Sequence, residues 1–542
     1  MRTSRDSAPS AASRRSDTGL TMAIRLATVS ALMVLLIPAF VRSDTWVVRE
    51  PSAIQDVALR DGEYASWNFG GGPMLQVGCL VGSEASAYQA VSLIRFDLSA
   101  VPCKEVRSAK LRLYKPRCFV QQAPVDVAVF EVAAANRDWA EGSSECIEER
   151  RASCWRFKTD GKPWAGQEGC SKEGVDYIAP APDVRTARDD RGQWLEFSVP
   201  AALARKWIDH PEANAGLLLR PAKPSDRWGE HVFFYSSEHY SGKGPQLLIE
   251  GTPGEPKRAA SSARSKAVHK LPADGPKFDR WLASNRRLAG FARKLGLDRE
   301  QARVFFHMDT TVRDRLLIGR YQMPIAKLNP RIEAVAAKGD EPEVRRLLCQ
   351  FRRAILTYEY IHDTQWYTAG PLAEVLSSLQ IGKLYAVCLF GRMEEHALER
   401  GTKIWWPATG EKLDKAVRDT FENVKQKLEL SAEQSREIEP RLAELKRKEQ
   451  RYLAAFRADF DRAKTLVAGG SNDDQLFRLM RSMFFNHEAF LYYQSIYVAP
   501  RWQLFLEKAP IIPFGRWIVE VRKNHYAGSR IERELRETRE FE

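Results

Sequence analysis

In SAKLRLY, residues 108–114, Lys110, Arg112 and Tyr114 share one parity, and Ala109, Leu111 and Leu113 share the other. A strand sends alternate side chains to opposite faces, so this spacing puts two cations and a phenol on one face with apolar residues behind them. Ammonium and guanidinium groups hold carboxylates through charge-assisted hydrogen bonds, which is the chemistry an acidic ligand needs. Lys115 and Arg117 follow directly, and a second basic–aromatic group, Arg220, Lys223, Arg227 and Trp228, falls in a loop after another apolar run. A solvated strand face, with long charged side chains guarding the sheet, has the same pattern.

A second chemistry is open in the C-terminal half. At 3.6 residues per turn, Glu359-x-x-His362 lies beside the stripe Val344, Leu348, Phe351 and Ile355; His487 shares the stripe of Leu476, Met480 and Met483, and Glu394 follows Val387 and Phe390. Carboxylates with Glu-x-x-His pairs pointing into a bundle build di-iron and di-manganese centres. Such bundles use two of these motifs and this chain has one, so Glu359, His362, Glu394 and His487 are metal candidates against the commoner alternative of buried structural histidines. Neither a Gly-x-Ser-x-Gly elbow, a His-Glu-x-x-His motif nor a phosphate loop occurs, and nothing in the sequence asks for a cofactor.

Those residues need elements to hold them. Ser92–Leu98 and Ser108–Tyr114 are two alternating runs around a turn with Pro102, and so predict a compact antiparallel unit. Val125–Ala133, Trp194–Val199, Asn214–Arg220, His231–Tyr235 and Pro245–Glu250 read as further strands, and Pro200–Ile208 as a short helix. RFDLS followed by SAKLRLY resembles the signature of the disaggregatase-related, or DNRLRE, domain. A segment ending in Trp139, then WLEFSVPAALARKWI, NAGLLLR, FFYSSEHY and PQLLIEG, continues the resemblance in order, over roughly Asp44 to Gly251. The resemblance implies a jelly-roll-like antiparallel β-sandwich, similar to family 96 of the carbohydrate-binding modules, some of which bind alginate. It makes the basic–aromatic positions above candidates for sugar contact. Against that family, Glu141–Tyr177 is an enlarged loop, expected to be stapled by disulfides because it has few apolar residues. Arg95 and Asp97 lie in the signature as an expected structural pair, and Ser236, Ser237 and Glu238 are expected to fix a strand end.

The chain has 542 residues, enough for two or three domains, and a formal charge of +13 that suits an anionic partner. No nucleic-acid motif accompanies the charge. Arg14, Arg15 and Arg25 precede the apolar run Leu26–Val41, which ends in Val41-Arg42-Ser43 and predicts a signal peptide over residues 1–43, starting at Met1 or Met22. The run is shorter than the ~20 apolar residues a spanning helix needs, so removal is expected, with no membrane span in the mature chain and an extracellular or periplasmic location. Six cysteines (Cys79, Cys103, Cys118, Cys146, Cys154, Cys170) fall in the β-rich half and predict disulfides of open connectivity. Cys103 with Cys118 is disfavoured, since a strand of roughly 25 Å separates them.

Thr252–Pro276 reads as a Pro/Ala/Ser-rich basic linker, and from Lys277 to Glu542 apolar residues recur at three- and four-residue spacing. Asp298 with Gln301, and Ser431 with Gln434, have the spacing of capping boxes. The sequence therefore predicts a multidomain chain: an all-β sandwich over 44–251, then an all-α helical bundle over 277–542. Its function reads as secreted, non-catalytic polysaccharide binding, acidic glycans being the ligands its charge favours. A carbohydrate-active or metal-dependent enzyme with its site in the helical half, and a cell-surface or matrix interaction protein, are the alternatives.

Overall fold

A computed structural model describes residues 43–83, 86–119, 121–143, 148–188, 192–225, 227, 229–239, 241–255, 278–279, 292–293, 295–310, 323–363, 374–385, 426–468, 473–494 and 499–526. The signal-peptide reading and most of the linker lie outside these residues.

The alternating runs form antiparallel sheet as expected. One sheet has the order β1 (Asp44–Val48), β13 (Gln246–Pro253), β5 (Cys103–Lys115), β10 (Gln193–Val199). The other runs β12 (His231–Tyr235), β3 (Met74–Ser83), β4 (Ser86–Phe96), β11 (Leu217–Pro221), β6 (Val125–Val132), β9 (Tyr177–Ala187), with β2 (Ile54–Arg60) also paired to β4. Ile94, Phe96, Leu111 and Leu113 point between the sheets, where they pack with Phe197, Leu217, Phe234 and Ile249. Helix α1 (Ala201–Asp209) adds Leu203, Trp207 and Ile208 to the same core. Strand β13 runs on to Pro253, so the sheet claims the start of the stretch read as linker.

The segment 141–177 departs from its expectation. It has apolar anchors of its own: Trp164 and Tyr177 join Trp139 on the outer face of the larger sheet, against Val57, Leu59, Leu93 and Leu218. Within it β7 (Phe157–Thr159) and β8 (Lys162–Pro163) make a small hairpin. Large aromatic burial does the work assigned to disulfides. Among the described residues no disulfide is formed, which corrects the disulfide reading there: Cys79, Cys103, Cys118, Cys154 and Cys170 are buried in the packing, and Cys146 lies outside the described residues. Packed in this way they behave as small apolar side chains, so they no longer argue for export.

Among the described residues, the C-terminal half is helical. Its helices are α2 (Arg299–Thr310), α3 (Met323–Ala337), α4 (Glu341–Asp363), α5 (Ser378–Tyr385), α6 (Ala432–Ala468), α7 (Asp473–Gln494), α8 (Ala499–Lys508) and α9 (Ile511–Tyr526). The stripe of α4, with Val344, Leu348 and Phe351, packs on Ile332, Trp502, Phe514 and Ile518. Both capping boxes are reciprocal: Gln301 N donates to Asp298 Oδ1 at 2.8 Å and Gln434 N to Ser431 Oγ at 3.1 Å, while each glutamine oxygen accepts its cap's N–H at 3.0 Å. A third box, Ser377 with Gln380, starts α5. None of these helices is long and apolar enough to cross a membrane.

The two halves touch. Phe119, in the loop after β5, is buried between Phe477 and Phe484 of α7, with ring centroids at 4.8 and 5.5 Å. Arg117 stacks on Phe477 and bonds Asp473 at 3.0 Å and Ser378 Oγ. Arg481 of α7 donates back to Gln121 O at 2.9 Å.

Candidate functional site

The outward positions of β5 form the centre of a strip. Register pairs Tyr114 with Trp194, Arg112 with Glu196 and Lys110 with Ser198, so β10 adds an indole and a carboxylate to the face that β5 makes basic. Tyr114 meets Trp194 edge-on at 5.3 Å, and the Arg112 guanidinium lies 4.8 Å from the Trp194 ring centroid. Lys110 and Arg112 share Glu196, at 3.6 and 3.0 Å. Lys243, before β13, brings its Nζ to 4.2 Å from the Tyr114 ring. An aromatic pair edged by three cations can stack a sugar ring and bind its carboxylate. Burial, and then the neighbouring Glu374 carboxylate, hold the Tyr114 phenol well above its ordinary value.

The other basic positions separate from this strip. Lys115 is fully buried: it has the parity of Leu111 and Leu113, and the same alternation that turns Lys110 outward turns it inward. It is therefore not on the open face, which corrects its place among the glycan contacts. Arg220 belongs to the other sheet, where it lies over the Tyr177 ring at 4.9 Å and donates to Ser171 O at 3.4 Å, holding the enlarged loop to β11. Lys223 is exposed, Arg227 reaches Glu230 at 3.7 Å, and Trp228 lies outside the described residues. In the helical half, Glu359 and His362 fall on α4 and His487 on α7, their side chains outside the described set, as is all of Glu394.

Arg95 does not pair with Asp97. It bonds Gln55 and the carbonyls of Arg137 and Trp139, and stacks 4.6 Å over the Trp139 ring, while Asp97 accepts the Ser99 N–H. Ser236 and Ser237 do fix the end of β12, through Gly72 O and Asp56 Oδ2. Glu238 goes further. Asp56, Glu141 and Glu238, all buried, bring one oxygen each within 4.8 Å of the others.

That cluster had no local signal, because its members come from β2, the enlarged loop and the turn after β12. Its supports are specific: Asp56 N donates to Glu141 Oε1 at 2.6 Å, and the buried Asn68 amide donates to Glu141 O at 2.6 Å and Ser153 O at 2.9 Å. Gly70 is required here, since a Cβ would collide with the Glu141 carbonyl. Carboxylates so close and so buried are costly without compensating donors or a cation. A hard cation such as calcium takes six to eight oxygens, so backbone or water would have to supply the rest.

Trp194 and Lys243 were also missed. Trp194 has the outward parity of its own strand, but only pairing with β5 brings it beside Tyr114.

Residues 48–144 match the family model of carbohydrate-binding module family 96, in agreement with the resemblance read from RFDLS and SAKLRLY. The match covers less than half of the chain, takes in β2 to β6 and supports carbohydrate binding by the sandwich. No curated protein matches the chain.

Proposed function

We propose that this is an exported, non-catalytic polysaccharide-binding protein that takes acidic glycans on the outer strip of the smaller sheet, with residues 44–251 as the binding module, a linker after it and the helical half packed against the module. The observation that carries the reading is the grouping of Lys110, Arg112 and Lys243 around the Tyr114–Trp194 pair, on a sandwich whose residues 48–144 match a carbohydrate-binding family. In this reading Trp194 and Tyr114 face the sugar ring, and Lys110 and Arg112 exchange Glu196 for a ligand carboxylate. Lys223 and Arg227 contribute long-range attraction.

The full chain should bind oligomannuronate or oligogalacturonate more tightly than an uncharged glucan, and rising salt should weaken the acidic ligands selectively. Replacing Lys110 and Arg112 together by alanine should cost about tenfold or more in affinity. Equal affinity of this double variant and the wild type for every acidic oligomer would remove the strip from the account.

A further inference from the structure

The strip already holds a carboxylate from the helical half. Glu374, shortly before α5, places Oε2 3.7 Å from Lys243 Nζ, and its carboxylate lies close enough to the Tyr114 phenol to push that group up. The Glu374 side chain is only 13% exposed there, whereas that of Lys243 is 41% exposed. Gly192, just ahead of β10, leaves the space: a Cβ there would come within 3.3 Å of Glu374 Oε1 and crowd the Tyr114 hydroxyl. An anionic oxygen pair between an ammonium and a phenol, at the border of the Tyr114–Trp194 rings, matches the carboxylate of a uronic acid whose ring lies on that aromatic pair.

The backbone carrying Glu374 is anchored from both sides. Ser378 N donates to Asp473 Oδ1 at 2.8 Å, Leu376 is buried, and Arg117 of the sandwich reaches Leu376 O and Ser378 Oγ. The carboxylate itself is held by an ion pair beyond direct hydrogen-bond distance, 3.7 Å from a lysine whose side chain is 41% exposed. A tethered anchor with an exchangeable head is the arrangement of a competitor rather than of a permanent strut.

We propose that Glu374 is an internal competitor for the acidic-glycan site: in the intact chain its carboxylate occupies the position on Tyr114 and Lys243 that a uronate carboxylate takes, so the helical half sets the affinity of the sandwich. This rests on the reading of the strip as an acidic-glycan site. Because the competitor is tethered, it acts at an effective concentration on the order of millimolar or above, and apparent affinity falls by the fraction of molecules whose site is open.

Full-length wild type, Glu374→Gln, Glu374→Ala and the Lys110→Ala/Arg112→Ala protein are titrated calorimetrically with oligomannuronate, oligogalacturonate and an uncharged cello-oligosaccharide. Both Glu374 variants should bind the acidic oligomers about tenfold more tightly than wild type and leave the uncharged one unchanged. Hydrogen exchange at residues 374–380 of the wild type should also quicken at saturating acidic oligomer, a measurement that holds even if a variant misfolds. Equal affinities for wild type and Glu374 variants, with unchanged exchange, would overturn the competitor while weakened binding by the Lys110/Arg112 variant left the strip standing. Absence of acidic-oligomer binding by every form would overturn both.

Discussion

Carboxylates and basic side chains occupy two settings within the sandwich, and solvent separates their roles. On the strip, Lys110 and Glu196 keep 48% and 44% of their side chains exposed. In the interior Asp56, Glu141 and Glu238 are buried, as are Arg60, stacked 4.4 Å from the Tyr64 ring, and His231, edge-on to Phe233 at 5.0 Å. An exposed ion pair contributes under about 1 kcal/mol, so a ligand carboxylate can replace Glu196 at little cost. A buried charge needs its partners continuously, because water cannot take their place. The same functional groups are thus exchangeable on the strip and architectural inside.

The largest expected effect comes from the interior. Burial, and then the charge of Arg60, lower His231 from 6.5 to about 3. A folded value below the unfolded one means that the contribution is whole above about pH 6.5 and is lost as pH falls towards 3, at about 1.4 kcal/mol per pH unit. Urea midpoints measured from pH 7 to pH 4 should therefore fall more steeply for wild type than for His231→Gln; parallel curves would show an imidazole that protonates without unfolding. Next, Asn68→Ala removes the amide that holds Glu141 O and Ser153 O and the oxygen that accepts Gly70 N–H. A loss of about 2–3 kcal/mol is expected in thermal or urea unfolding, and an unchanged midpoint would mean that the carboxylate cluster is held without it. The smallest effect is on the strip. Glu196→Gln should change stability by less than about 1 kcal/mol and strengthen oligomannuronate binding about two- to threefold. Weakened binding would make Glu196 a positioning partner of Arg112, and the contrast between the two settings would fail.

Some of this was legible residue by residue. Ala109, Leu111 and Leu113 point inward because a strand must alternate, and Asp298–Gln301 and Ser431–Gln434 close their boxes because three residues of helix bring side chain and backbone together. Lys115 was misplaced although its own parity foretold burial. The enlarged loop was misjudged because its Trp164 finds an apolar partner only on the outer face of a sheet built from other segments.

The sequence alone therefore determined a β-sandwich followed by helices, a basic outward face on β5, the local caps, and a resemblance that the match over residues 48–144 bears out. Those properties depend on neighbours within a few residues. Only the tertiary structure decided that Trp194 and Lys243 stand beside Tyr114, that Glu374 reaches the strip from the helical half, and that Asp56, Glu141 and Glu238 converge. Each of those meetings joins segments far apart in the chain. Such contacts follow from which apolar faces bury against one another, and no short-range periodicity records that choice.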